Sequence, residues 1–160
     1  MSAPLSYSHC SLRPAATAAP LTDGLLAVVL VSLLACKSTV TAQPAEIAPG
    51  DTCTRCKQPI NDKRFAAEFV TRDGFVRKFD DVGCMVDHAK KLKKGGIIGY
   101  FAADYDKKEW KKAEELTYVR SQRFKTPGNG GILALGGRER AQALATQYQG
   151  EVLGFQDLLK

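Results

Sequence analysis

Asp73-Gly74 divides two stretches that alternate apolar and polar residues, RFAAEFVT over 64–71 and FVRKFDD over 75–81. Alternation is the period of a half-buried strand. Asp-Gly between two such runs is the composition of a tight hairpin turn, because glycine reaches positive φ without a steric penalty. An antiparallel pair is therefore expected here, and the next residues narrow what it can pack against. In DDVGCMVDHAKKLKKGG, Asp80 or Asp81 can cap a helix. Val82, Met85, Val86 and Ala89 recur at helical spacing, lysines close the end and Gly95-Gly96 stop it. IIGYFAADY (97–105) then reads as a buried strand.

The same order of elements returns in the second half. ELTYVRS is a strand and FKTPGNGGILAL a Gly-rich turn entering another. GRERAQALATQY is a helix ended by Gln149-Gly150, and EVLGF is a last strand before a short tail. The expectation is an α+β fold of two similar ββαβ units, over 52–106 and 107–160.

Cysteine usage adds chemistry to the first unit. CTRC places Cys53 and Cys56 three positions apart just before the hairpin, and Cys84 and His88 stand i and i+4 on one face of the first helix. A two-thiol knuckle, a hairpin, and a helix whose opening turns offer a thiol and an imidazole is a treble-clef-like arrangement. Its four donors suffice for a closed tetrahedral metal site. Each residue alone has a plainer reading: C-x-x-C as a disulfide or redox pair, Cys84 as a small buried hydrophobe, His88 as an ordinary histidine. Of the chain's five cysteines, the three beyond Cys36 are an odd number for a disulfide framework, and all three fit one site together with His88. Met85 is conceivable as a further ligand, although its helical spacing reads as core. Asp80 and Asp81 read as caps rather than paired acids. No nucleophile–histidine–acid grouping and no phosphate-binding glycine loop stands out, so no enzyme activity is expected.

The first 36 residues read as an export signal. GLLAVVLVSLLAC is an apolar run ending at Cys36, shorter than the ~20 residues a bilayer span needs. Leu33, Leu34 and Ala35 before Cys36 resemble a bacterial lipobox, which makes Cys36 the expected lipidation site and places the mature chain at a membrane surface. Residues 37–51, rich in Ser, Thr, Ala, Pro and Gln, read as a flexible tether to a folded domain over 52–160. A charged fraction of 25% beside 44% hydrophobic residues is that of a globular domain. The net charge of +6 is spread along the chain apart from KKLKK (Lys90 to Lys94), which suits a helix end, so nucleic acid is not an expected partner.

Taken together, CTRC, RFAAEFVTRDGFVRKFDDVGCMVDH, EWKKAEELTYV, TPGNGGILAL and GEVLGFQDLL resemble the NosL family. The resemblance implies a membrane-anchored accessory lipoprotein, not an enzyme, that handles copper for maturation of nitrous oxide reductase or another metal-receiving envelope protein. It also implies two ββαβ units. The implied place is the periplasmic side of the cell envelope; Lys37 after Cys36 would suit the outer membrane of a Gram-negative host. The pattern departs at the ligands. The family's Cys-x-Met is matched by Cys56 but has Gln58 at the methionine, and Gly128 stands where a later methionine is expected. Both soft, neutral thioethers that suit Cu(I) are thus missing. The expected ligand set is Cys53, Cys56, Cys84 and His88, holding one ion per chain, copper(I) or zinc. Two other readings stay open: structural zinc in a binding module, and a C-x-x-C thiol–disulfide protein.

Overall fold

The structure, a computed structural model, describes residues 41–93 and 95–160. The expected export signal, Cys36 and the first part of the tether lie outside the described residues. The described residues form one compact unit that contains both hydrophobic cores.

The hairpin forms where the alternation places it. Strands β1 (Ala67–Thr71) and β2 (Val76–Phe79) pair antiparallel, with Ala67 opposite Phe79 and Val70 opposite Val76. The turn between them has Gly74 at φ +85°, the conformation that asks for glycine. Helix α1 (Val82–Ala89) follows and ends sooner than the lysine run suggests, and β3 (Ile97–Ala103) returns to pair antiparallel with β1. Strand β4 (Trp110–Lys112), which lies in the range expected for the second unit, hydrogen-bonds to the edge of β3, giving a sheet of order β2-β1-β3-β4. The second unit repeats the plan with β5 (Thr117–Arg120), β6 (Ile132–Leu135), α2 (Arg138–Tyr148) and β7 (Glu151–Leu153), in the order β6-β5-β7. In each unit the first strand is central, flanked by its hairpin partner and by the strand after the helix. What read as a tail is a short helix, α3 (Phe155–Leu159), with Phe155 and Leu158 buried.

Strand parity divides the interior into two cores. Phe69, Phe79 and Ala67 on one face of the first sheet meet Val82, Met85 and Val86 of α1, joined by Tyr118, Ile132, Phe155 and Leu158. The alternate residues of the second sheet, Val119, Leu133 and Leu135, face α2 through Ala141, Leu144 and Ala145. The ILAL strand is therefore buried on both faces, which explains its unbroken apolar run. Met85 lies in the first core and is fully buried there. Full burial of a side chain such as Phe69 contributes about 2–3 kcal/mol. The outer face of the first sheet is covered by the chain entering the domain: the Ala45 N–H donates to Glu68 Oε2 at 2.8 Å, and Lys78 Nζ donates to the Glu46 carbonyl at 2.7 Å.

Candidate metal centre

Two elements converge at the end of the hairpin away from its turn. The knuckle is closed by the Cys53 N–H donating to the Gln58 carbonyl at 2.8 Å and the Lys57 N–H donating to the Cys53 carbonyl at 3.0 Å. Lys57 takes left-handed φ of 66° to complete the turn. The Thr54 N–H donates to the Lys78 carbonyl at 2.8 Å, which pins the knuckle to β2. Asp80 leaves the end of that strand directly beneath it. Asp81 caps α1: its Oδ1 accepts from the Cys84 N–H at 2.7 Å and so fixes the first helical turn.

The outcome is a compact donor group. Sγ of Cys53, Cys56 and Cys84 and a carboxylate oxygen of Asp80 all lie within 4.8 Å of one another. The three cysteines are free thiols. Cys53, Asp80 and Cys84 are buried, and Cys56 is half-buried at the rim. The Cys56 thiol donates to Asp80 Oδ2 at 3.1 Å, whereas Asp80 Oδ1 is buried without a hydrogen-bond partner. Such an orphaned oxygen amid thiols is costly in a protein interior and fits a site that a cation completes. Ligand sulfurs around a zinc-sized ion stand about 3.8 Å apart for bonds of ~2.3 Å, so only small shifts separate this geometry from coordination.

Protonation follows from the same burial. Burial pushes the Cys56 thiol up to about 11, with a lowering contribution from the Gln58 backbone and a raising one from Asp80. Cys84 is also raised, by burial first and then by the neighbouring carboxylates. Burial pulls Asp80 upward too, but the three neighbouring thiols outweigh it and its pKa is lowered. At neutral pH the metal-free cluster thus holds protonated Cys56 and Cys84 thiols around an ionised carboxylate, and a cation must displace protons to bind. Arg55 lies over the group: Nη1 is 3.7 Å from Cys84 Sγ, while Nη2 pairs with Asp87 at 2.9 Å. Its positive charge offsets part of the negative charge that thiolates would bring.

The structure brings together Cys53, Cys56 and Cys84 but not His88. The His88 ring packs on Phe69 and Phe79, with centroids 5.9 and 5.5 Å away, and burial followed by the charges of Arg77 and Lys91 lowers its pKa. Four residues along a helix are about 6 Å of rise, which carries the imidazole past the knuckle and onto the sheet aromatics. Asp80 takes the fourth place. The sequence signal for it is that a helix has one N-cap, so one of two adjacent aspartates was left for another task.

The Gly-rich loop of the second unit walls the cluster. Asp81 Oδ2 accepts from Thr126 Oγ1 at 2.6 Å, the Gly128 N–H at 3.0 Å and the Gly130 N–H at 3.1 Å. A Cβ at position 128 would stand 2.5 Å from Cys84 Sγ and 2.9 Å from both Asp81 carboxylate oxygens. No side chain fits at 128 while Cys84 and Asp81 stand where they do. The space beside residue 128, where the resemblance led us to expect a thioether, is filled by the Cys84 thiol.

Fold and cluster define a small α+β domain of two ββαβ units carrying a walled group of thiols. The chain belongs to the NosL family, whose model matches residues 44–160. Among solved structures, the crystal structure of the copper chaperone NosL from Shewanella denitrificans matches with a TM-score of 0.65 and 16% identity, over 72% of this chain and 94% of that one. No curated protein sequence matches.

Proposed function

We propose that this protein is a lipid-anchored accessory protein of the cell envelope that holds one Cu(I) on Cys53, Cys56 and Cys84 and passes it to a cuproenzyme. Nitrous oxide reductase is the recipient that the family resemblance implies. The observation that carries the reading is the donor group itself: three free thiols within reach of one ion, two of them buried and Cys56 at the rim. Three thiolates suit a soft monovalent ion, and they stand in for the missing thioethers. Family membership and the copper chaperone among the similar structures support the same metal.

The geometry also suggests how cargo leaves. Cys56 is the ligand a partner's thiol can reach, and in the metal-free state its thiol donates a hydrogen bond to Asp80 Oδ2. Detachment would begin at Cys56, with the proton returning to that sulfur as the partner's ligand replaces it. Buried Cys53 and Cys84 would release last.

Anaerobic titration of residues 37–160 with Cu(I) against a chromophoric chelator tests this. One Cu(I) per chain is expected, with any zinc displaced, and Cys56→Ser weakening retention at least about 100-fold. Zinc that Cu(I) fails to displace would contradict it. The acyl anchor is checked separately by the intact mass of the membrane-extracted protein and of Cys36→Ala.

A second reading has one observation in its favour. Asp80 supplies a hard oxygen, buried and unpartnered, and a Cys₃Asp set is a closed site suited to structural zinc. In that case chelation would unfold the domain instead of merely emptying it.

A further inference from the structure

The large hydrophobic side chains that stand exposed among the described residues are Phe75, 58% exposed, and Leu92, 39% exposed. Phe75 closes the β1–β2 turn, Leu92 lies just past α1, and a shallow depression lined by Thr71, Arg72, Asp73, Leu92, Lys93 and Gly96 runs from Leu92 to that turn. The turn is tied to the segment after α1 by the Arg72 N–H donating to the Gly96 carbonyl at 2.9 Å and by the Arg72 guanidinium donating to the Gly95 carbonyl at 3.1 and 3.2 Å. Arg72 and Lys93 line the depression beside Leu92, Lys90 and Lys91 precede Leu92 in the chain and Arg77 lies two residues past Phe75, all five exposed, with Asp73 as the acid of the turn. The Arg77 guanidinium lies 5.6 Å over the Phe75 ring. Two apolar side chains at the tip of a cationic rim are the pattern of a surface that rests on anionic lipid.

The path of the chain points to the same end. Ala42 lies against Gly99, where a Cβ would meet the Ala42 Cβ at 2.5 Å, and Gly99 pairs with Val70. From there the chain runs toward Glu68 and Lys78, at the cluster end of the sheet. Ala42, where the described chain meets the sheet, therefore lies one residue pair from Thr71 and Ile97, the end that carries Phe75 and Leu92. Five residues lie between Cys36 and Ala42, a reach of at most about 22 Å over six steps. No helix among the described residues is long and apolar enough to cross a membrane, so contact there would be peripheral.

We infer that the tip formed by Phe75, Leu92 and the surrounding lysines and arginines is a docking face for an anionic phospholipid surface, on which the tethered domain lies with its thiol cluster pointing away. The inference rests on the reading of Cys36 as the anchor. The two ends of the hairpin are about 13 Å apart along β1, and α1 runs from the cluster at its N-terminus to the tip at its C-terminus. A short tether keeps the apolar pair at high local concentration near lipid, so shallow insertion suffices. The domain is then oriented, with Cys56 presented to proteins arriving from the aqueous side.

Flotation of residues 37–160 with vesicles of one-third phosphatidylglycerol in phosphatidylcholine tests the face without the acyl chain. The wild type is expected to float with these vesicles, poorly with phosphatidylcholine alone, and about tenfold less after Phe75→Ser with Leu92→Ser. Both positions are exposed, and unchanged Cu(I) stoichiometry and circular dichroism would confirm that the variant is folded. Equal flotation of wild type and variant would overturn the face. So would no flotation by either, and if the double variant then impaired copper delivery in cells, the tip would belong to a protein partner. The anchor stands or falls on the Cys36→Ala mass measurement: vesicle binding supports the face even where Cys36 carries no lipid.

Discussion

Gly128 has no room for a single added carbon. Its missing side chain is the space that Cys84 Sγ and the Asp81 carboxylate occupy. Gly128→Ala should therefore cost about 1–3 kcal/mol in stability by overpacking, read as a lower urea midpoint. It should also weaken Cu(I) retention by at least about tenfold, because Cys84 must move. Unchanged copper affinity would mean that Cys84 is not a ligand. Glu68 makes a different residue-scale prediction. It is fully buried, Oε1 lacks a partner, and burial raises its pKa to about 7 despite the Ala45 hydrogen bond and the charge of Lys78. A carboxyl with a raised folded-state pKa favours folding in its protonated form. Its contribution is complete below the unfolded value near 4.5 and is lost as pH climbs toward 7. Glu68→Gln should match wild-type stability at pH 4 and exceed it by up to about 3 kcal/mol at pH 8. Pairs of melting curves at the two pH values check this, and a constant difference would contradict it.

At the scale of elements, much was legible because local chemistry and tertiary need agree. The Asp73-Gly74 turn, the helix opened by an aspartate cap and the fully apolar ILAL strand stand where their sequences place them. The cysteine knuckle was equally readable, since spacing alone sets two thiols on one turn. The fourth cluster residue was not. His88 has the right helical spacing from Cys84, but its position relative to the knuckle depends on how far α1 slides along the sheet, which only packing on Phe69 and Phe79 decides. The extent of α3 was hidden for a similar reason: five residues show no period, and Phe155 and Leu158 are helical because they fill the first core. Asp81 joins the elements. One buried carboxylate caps α1 and receives three donors from the 126–130 loop. Asp81→Ala strands those donors and should cost about 3 kcal/mol, with earlier hydrogen exchange at Gly128 and Gly130. A cost confined to α1, with the loop still protected, would show that the two units do not share this clasp.

For the whole molecule, the two ββαβ units divide the labour. The first carries every thiol of the cluster, and the second supplies the glycine loop that walls it and strands that close the core beneath. From Ala42 the described chain runs along the outer face of the first sheet toward the cluster, and the proposed docking tip and the proposed cargo site occupy opposite ends of one short hairpin. In the proposed site three thiolates, without the imidazole, hold Cu(I). X-ray absorption at the copper edge of the loaded protein reads that shell directly. Three sulfur scatterers at about 2.3 Å and no imidazole outer-shell pattern are expected, unchanged in His88→Ala. An imidazole signal that vanishes in that variant, or a shell of two sulfurs, would contradict it.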